Sequence, residues 1–267
     1  MATAWAFIKR DVSLALSYRL SFVLQFLGII LTMATFYYLS TLVSGGMAEH
    51  LEEYGGEYFP FVLLGLAFST YMMLGMETFA AKIREGQMMG TLEMMLLSPT
   101  RLSTILVASS LWAYIFGSLR VFVFLFLGAI VFGVSFAQTN ILAAGVILIL
   151  AVVSFAVIGM ISAAFIVVLK KGDPITWAFG ALSTLVAGVY YPIEVLPDWL
   201  QGFSALLPLT YALNAMRHAV LQGYSLYDVR FDILALLCFS AVLLPLALLS
   251  FRLAVKRAKV EGSLVQY

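Results

Sequence analysis

Long apolar stretches separated by short polar segments make up the chain from residue 20 to residue 253. A helix that crosses a membrane needs about 20 mostly apolar residues, with a usable range of roughly 17 to 25. The fifth stretch is the shortest, and it ends before Pro192. The pattern predicts an all-α integral membrane fold that forms a single transmembrane domain over 1–267, with six spans at 20–43, 58–81, 102–134, 141–169, 175–191 and 231–253.

Basic residues fall on alternate segments between these predicted spans. Twelve of the 15 lysines and arginines lie before span one, between spans two and three, between spans four and five, and at the end of span six or after it. The loop 44–57 carries four glutamates and no lysine or arginine. Since positively charged loops stay in the cytoplasm, we expect both termini to be cytoplasmic, as an even number of spans also requires.

Two segments outside the spans have patterns of their own. Residues 1–19 alternate apolar and charged positions at helical spacing, which predicts an amphipathic helix lying flat on the cytoplasmic surface. The segment 192–223 predicts two short outer helices near 198–206 and 209–222, which dip into the outer leaflet or lie on it. Gly223 is expected to stop the second helix. The prolines and aromatic anchors of this segment include Pro192, Pro197, Trp199, Pro208 and Tyr211.

Composition supports the membrane class and excludes others. The chain is 63% hydrophobic and 11% charged, whereas soluble domains average roughly 25% charged residues. A net charge of +1 gives no reason to expect nucleic acid as a partner. No lysine is followed by Ser or Thr, so the chain lacks a P-loop for ATP. We expect no enzyme activity, no catalytic residues, no metal and no cofactor in this chain.

Two ionisable residues interrupt the predicted spans, Glu77 in span two and Arg120 in span three. A charge at membrane depth is costly, and it faces the protein interior or water. Both residues are expected near one level, where they can pair. The pair either holds spans two and three together or takes part in transport.

The strip 81–102 is charged and rich in methionine, and it lies between two long apolar segments. Gly86 and Gly90 interrupt the strip and Pro99 ends it. The residues 91–97 between Gly90 and Pro99 can form about two helical turns. Its apolar residues point to more than one side of such a helix. One side can pack on the membrane bundle. The strip is therefore either buried under its own bundle or docked into a groove of another protein, and methionine suits the second arrangement.

The amino-acid sequence of this strip, together with that of two other segments, resembles the permease subunit of type-2 ATP-binding-cassette exporters. The resemblance is to the branch that includes drug, antibiotic and nodulation-factor exporters. The matching segments cover almost the whole chain in the expected order. They are IKRD at 8–11, EGQMMGTLEMMLLSPTR at 85–101 and PIEVLPDWLQGFSALLPLTYALNAMR at 192–217.

The resemblance implies a role for each segment. It implies an elbow helix at 1–19, a coupling helix at 86–97 that contacts the ATPase, and a path along the dimer axis. It also implies two re-entrant outer helices at 192–223, whose prolines and aromatic anchors form a candidate outer gate. The elbow residues are Phe7, Lys9, Arg10 and Asp11. The ATPase-contacting residues are Arg84, Glu85, Gly86, Met89, Gly90, Thr91, Glu93 and Met94. The candidate path residues are Phe26, Ile30, Val186, Val189 and Tyr190.

The resemblance also implies partners and a location. It implies a second permease copy, in a homodimer, two separate ATPase subunits that bind ATP and Mg, and the bacterial or archaeal cytoplasmic (inner) membrane. Apolar path residues favour a hydrophobic or amphipathic cargo, such as a drug, lipid or glycolipid. A polysaccharide or glycolipid exporter of the same family is the nearest alternative. A stand-alone secondary transporter or channel is the alternative of another class, and it requires charged relays or inverted repeats that the sequence does not display.

Overall fold

The structure, a computed structural model, describes residues 19–43, 48–90, 102–169 and 174–260. Within these ranges the chain forms helices and the turns between them, with no strand. Two 3₁₀ helices, Glu52–Tyr54 and Ile193–Val195, precede the third and the seventh α-helix. In chain order the described α-helices are α1 (Arg19–Val43), α2 (Ala48–Leu51), α3 (Tyr58–Met88), α4 (Leu102–Phe132), α5 (Ile141–Leu169), α6 (Pro174–Val186), α7 (Asp198–Ser204), α8 (Pro208–Leu221) and α9 (Arg230–Val260).

Five of these helices are long and apolar enough to cross a membrane, namely α1, α3, α4, α5 and α9. Helices α1, α4 and α5 follow the predicted spans 20–43, 102–134 and 141–169 to within two residues. Most of α1 and α9 is not covered by the rest of the chain, with 11% of each apolar window buried. The prediction of an all-helical, multi-pass membrane protein is confirmed.

Two helices extend further than the predicted spans 58–81 and 231–253. Helix α3 continues to Met88, and α9 continues to Val260. The sequence estimate ended these spans where charged residues become frequent, but Lys, Arg and Glu are good helix formers and do not end a helix. The first residues of the expected coupling helix 86–97 therefore belong to α3, which stops before Gly90 at a φ of +65°. Residues 91–97 of that helix, and the elbow 1–19 up to residue 18, lie outside the described residues.

The stretch predicted as the fifth span, 175–191, is only partly helical. Helix α6 has 13 residues and ends at Val186. The chain then turns at Gly188, whose φ of +82° is a left-handed conformation that glycine adopts without strain. Apolar residues continue to Tyr191, so hydropathy alone does not reveal the turn. At about 1.5 Å per residue, α6 covers roughly 20 Å, less than the ~30 Å hydrocarbon core of a bilayer.

Helix α5 occupies the centre of the bundle and packs against both α3 and α9. The approach of α5 to α3 is close because Gly159 lacks a side chain. A Cβ added at Gly159 would lie 2.3 Å from the carbonyl oxygen of Gly75. Small residues at helix crossings allow such contact in membranes. The core along these helices includes Met72, Met76, Ile147, Ala151 and Phe155, all fully buried.

The two ends of the bundle differ. One, which we call the capped end, carries the 3₁₀ helix Glu52–Tyr54 together with α7 and α8. The other, the basic end, carries Lys82, Arg84, Arg252 and Lys256. Short helices were predicted near 198–206 and 209–222, and α7 and α8 occupy these positions. Pro208 begins α8, where a proline costs no hydrogen bond, and Gly223 follows its end with a φ of +72°.

Arg217 of α8 is buried at the junction of three segments. Its guanidinium donates hydrogen bonds to the carbonyl oxygens of Phe61 at 3.1 Å, Gly188 at 2.8 Å and Val189 at 3.3 Å. The guanidinium carbon lies 3.3 Å from the centre of the Phe61 ring. One side chain thus joins α3, α8 and the turn that follows α6.

Gly65 makes this junction possible. A Cβ at that position would lie 2.1 Å from the Val189 carbonyl oxygen, which is a backbone atom that cannot rotate away. The turn after α6 therefore rests directly on the backbone of α3. Both the missing side chain of Gly65 and the long one of Arg217 are needed for the same contact.

We expect the substitution Arg217→Met to destabilise the protein strongly, since it leaves three buried carbonyls without their donor. The loss in the free energy of unfolding should be on the order of 3 kcal/mol. Arg252→Met is the matched control, because Arg252 is exposed in α9 and surface changes cost roughly 0.5 kcal/mol or less. Thermal unfolding in detergent, followed by tryptophan fluorescence, measures both. Equal melting temperatures for the two variants would contradict this account of the junction.

Candidate functional site

A cavity of about 880 Å³ lies between α1, α3, α4 and α6. Its walls combine charged, polar and aromatic side chains with apolar ones. Arg120 lies in the middle of the apolar window Ser110–Ile130 of α4, so the cavity reaches membrane depth. The lining residues are Gln25, Ser69, Thr70, Met73, Leu74, Glu77, Trp112, Ala113, Phe116, Gly117, Arg120, Trp177, Gly180, Ala181, Thr184, Leu185 and Tyr190.

Glu77 and Arg120 both face this cavity, but they stand at different heights. Helices α3 and α4 are antiparallel, with Gly117 against Leu74 and the Tyr71 hydroxyl donating to Ser118 at 2.8 Å. In that register Arg120 is level with Tyr71, and Glu77 lies six residues further toward the basic end. Six helical residues correspond to about 9 Å. The structure thus brings the two charges to one cavity at separate levels, and their direct pairing stays a prediction.

Arg120 stands on the partition between this cavity and a smaller one of about 310 Å³ that shares Gln25, Ser69 and Thr70 with it. The Arg120 guanidinium donates a hydrogen bond to the side-chain oxygen of Gln25 in α1. It also lies over the Phe116 ring, 5.5 Å from the ring centre. The half-buried guanidinium is therefore held by a neutral amide on one side and an aromatic face on the other.

Aromatic rings form much of the remaining wall. Trp112 stacks on Phe116 with ring centres 5.9 Å apart. Tyr190 stacks on Phe36 at 5.6 Å and closes the side nearest the turn after α6. Such faces bind apolar and aromatic groups, and they also bind cations.

The sequence pointed to part of this cavity. Among the five candidate path residues, Tyr190 lines it. Val186 and Val189 are buried in the core, with 5% and 0% of their surface exposed. Ile30 is exposed on α1, and Phe26 is half-buried there. Gln25 was missed, although a glutamine inside an apolar span is a signal that the sequence does offer.

The residues expected to form an outer gate lie at the capped end. Pro192 precedes the 3₁₀ helix Ile193–Val195, and Pro197 precedes α7. Trp199 is 66% exposed, and its ring meets that of Phe203 edge to face. The Tyr211 hydroxyl donates to the carbonyl oxygen of Ala205 at 3.0 Å, joining α8 to the end of α7.

A polar cluster that the sequence did not predict joins α8 to its neighbours at this end. The Tyr54 hydroxyl donates to the Asn214 side-chain oxygen at 3.0 Å, and the Asn214 amide donates to Asp232 at 3.1 Å. Burial raises the pKa of the Tyr54 phenol, so the phenol keeps its proton and remains a donor. His218 lies 3.8 Å from a carboxylate oxygen of Glu53. The cluster fixes α8 against the outer loop and the start of α9.

The described part of the expected coupling region lies at the basic end. Lys82 and Glu85 form an ion pair at 2.9 Å, and Gly86 is buried. Met88 and Met89 are each 68% exposed at the end of α3. Arg84 and Gly90 are also described, whereas Thr91, Glu93 and Met94 lie outside the described residues, as do the elbow residues Phe7, Lys9, Arg10 and Asp11.

Comparison with known proteins agrees with this architecture. The model of the family described as ABC-2 type transporter matches residues 3–221, which is most of the chain. No curated protein matches it. The match includes four of the five long helices, the cavity and both short helices of the capped end. The chain therefore belongs to the ABC-2 type transporter family, as a multi-pass transmembrane subunit that has no ATPase site of its own.

Proposed function

We propose that this chain is the permease of an ATP-driven exporter and that the cavity between α1, α3, α4 and α6 is part of its translocation path. The observation that carries the proposal is a charged and polar lining at membrane depth, around Arg120, Glu77 and Gln25. Such groups are costly in a bilayer, and their usual place is a water-filled or ligand-binding route. Two permease copies and two ATPase subunits form the working complex.

The five long helices and one further crossing make six crossings in this permease. The further crossing, which is the fifth in chain order, consists of α6 and the turn that follows it. Backbone without helical hydrogen bonds is tolerated at membrane depth only where protein satisfies it. The guanidinium of Arg217 supplies hydrogen bonds to the carbonyls of Gly188 and Val189. Helices α7 and α8 then form the two re-entrant elements of the outer side, beneath which the path ends.

The capped end faces the outside of a cytoplasmic membrane, and both termini are cytoplasmic. The charge distribution supports this arrangement, because the basic end carries Lys82, Arg84, Arg252 and Lys256 while the loop before α3 is acidic.

ATP-driven motion reaches the permease at the strip after α3. Met88 and Met89 support this assignment, since both are exposed at the basic end and methionine adapts to a partner groove. Glu93 and the elbow residues complete the ATPase contact. The Gly-Thr-Leu-Glu sequence at 90–93 favours the drug, antibiotic and nodulation-factor branch over polysaccharide exporters, and hence a hydrophobic or amphipathic cargo.

Topology is tested by labelling single cysteines with an impermeant thiol reagent in a Cys238→Ala background. Glu53→Cys should be labelled in intact cells, and Lys256→Cys only after permeabilisation, since both residues are exposed at opposite ends of the bundle. Labelling of Lys256→Cys in intact cells would overturn the proposed orientation.

Coupling is tested in vesicles that contain the permease with its ATPase partner. Glu93→Ala should reduce cargo-stimulated ATP hydrolysis on the order of tenfold, a usual size for a coupling effect, and leave the melting temperature of the permease unchanged. Glu52→Ala is the matched control, because Glu52 is exposed at the capped end. If Glu93→Ala instead lowers the melting temperature and leaves stimulation normal, the strip packs under its own bundle.

Stoichiometry is tested by native mass spectrometry of the purified complex. We expect two copies of this chain and two ATPase copies, with chemical cross-links between them concentrated at 84–97 and at the elbow. A fully active complex with a single copy of this chain would refute the proposed dimer.

A further inference from the structure

We propose that the cavity between α1, α3, α4 and α6 binds an anionic amphiphile, with its acidic group at Arg120 and its apolar body along the aromatic wall. This inference rests on the proposed export function, and it specifies the class of cargo. It follows from the sign, the spacing and the surroundings of the charges in the cavity.

The first argument concerns the surroundings of Arg120. Its hydrogen bond within the described part of the chain goes to the neutral side chain of Gln25, not to a carboxylate. A guanidinium has five N–H donors in a planar fork that fits an oxyanion. The site thus offers a positive charge and several donors, which is the chemistry that binds a carboxylate, sulfonate or phosphate.

The second argument concerns the walls. A volume of about 880 Å³ lies within the usual range of drug-sized ligand sites, roughly 300–1,000 Å³. Trp112, Phe116 and Tyr190 supply flat apolar faces, and Met73 and Leu185 supply aliphatic surface. An apolar chain or ring system gains hydrophobic energy on this wall. The cavity therefore matches a molecule with one polar end.

The third argument concerns Glu77. Its carboxylate faces the same cavity about 9 Å from the level of Arg120, a spacing of six helical residues. An acidic group held at Arg120 therefore lies at a separate level from this carboxylate.

The test uses the full chain in phosphatidylcholine nanodiscs without its ATPase partner, so its result is independent of coupling. The probes are dodecyl sulfonate, dodecyltrimethylammonium and dodecyl maltoside below their micellar concentrations. Quenching of tryptophan fluorescence reports occupancy, because Trp112 and Trp177 line the cavity. We expect the sulfonate to bind about tenfold more tightly than the trimethylammonium compound, as a charge-assisted hydrogen-bonded contact allows.

Variants assign the contact. Arg120→Gln should weaken sulfonate binding about tenfold, and Arg120→Lys should retain part of it. The matched control is Arg252→Gln, an exposed arginine at the basic end, which should leave binding unchanged. Nanodiscs with phosphatidylglycerol distinguish an anionic lipid of the bilayer from a free anionic amphiphile as the natural ligand. If the natural ligand is an anionic lipid headgroup, this lipid should compete with the sulfonate.

Two results would overturn the inference. One is equal affinity for the sulfonate and the trimethylammonium compound, or unchanged sulfonate binding by a folded Arg120→Gln variant. The other is a loss of folding in Arg120→Gln that the double change Glu77→Ala with Arg120→Ala restores, because the two charges then form a structural pair. Loss of ATP coupling with intact sulfonate binding would instead count only against the proposed ATPase partnership.

Discussion

The buried guanidinium of Arg217 holds the capped end of this bundle together. The guanidinium of Arg217 bonds to the carbonyls of Phe61, Gly188 and Val189, so a single side chain of α8 joins the start of α3 to the turn after α6. A charge in this position is stable because the guanidinium meets three backbone acceptors and the Phe61 ring. The contact also satisfies backbone carbonyls of the turn after α6, where the helical hydrogen-bond pattern ends.

The cavity depends on the same junction. Because α6 ends at Val186 and the chain turns over Gly65, Tyr190 reaches the side of the bundle, stacks on Phe36 of α1 and closes one wall. A continuous helix through this stretch would have carried Tyr190 onward toward the capped end. Helix α1 is held beside the cavity by this aromatic pair, by the bond from Arg120 to Gln25, and by Tyr37, whose ring contacts Phe59 of α3 and Phe132 of α4. The junction at Arg217 and the cavity wall are therefore mechanically linked.

Sequence patterns predicted the elements that depend on local properties. The span 141–169 was located to the residue because its apolar run is uninterrupted and flanked by Asn140 and by Lys170. The start of α8 at Pro208 and its stop before Gly223 follow from backbone chemistry. The features that the sequence did not predict depend on residues that are distant in the chain. The buried role of Arg217 depends on its contacts with Phe61 and Val189. The height difference between Glu77 and Arg120 follows from the register of α3 against α4, which neither helix determines alone.

The two arginines show how one residue type serves two purposes according to its partners. Arg217 meets fixed backbone carbonyls and an aromatic ring, so the fold uses its hydrogen bonds. Arg120 meets a neutral amide from the loosely packed α1, and it faces open volume. A cation held this way gains most when an anion arrives, because the binding energy has not been used by the protein beforehand. Movement of α1 would alter the Gln25 contact and with it the affinity for such an anion, which is the kind of difference between two states that an ATP-driven cycle needs in order to release cargo.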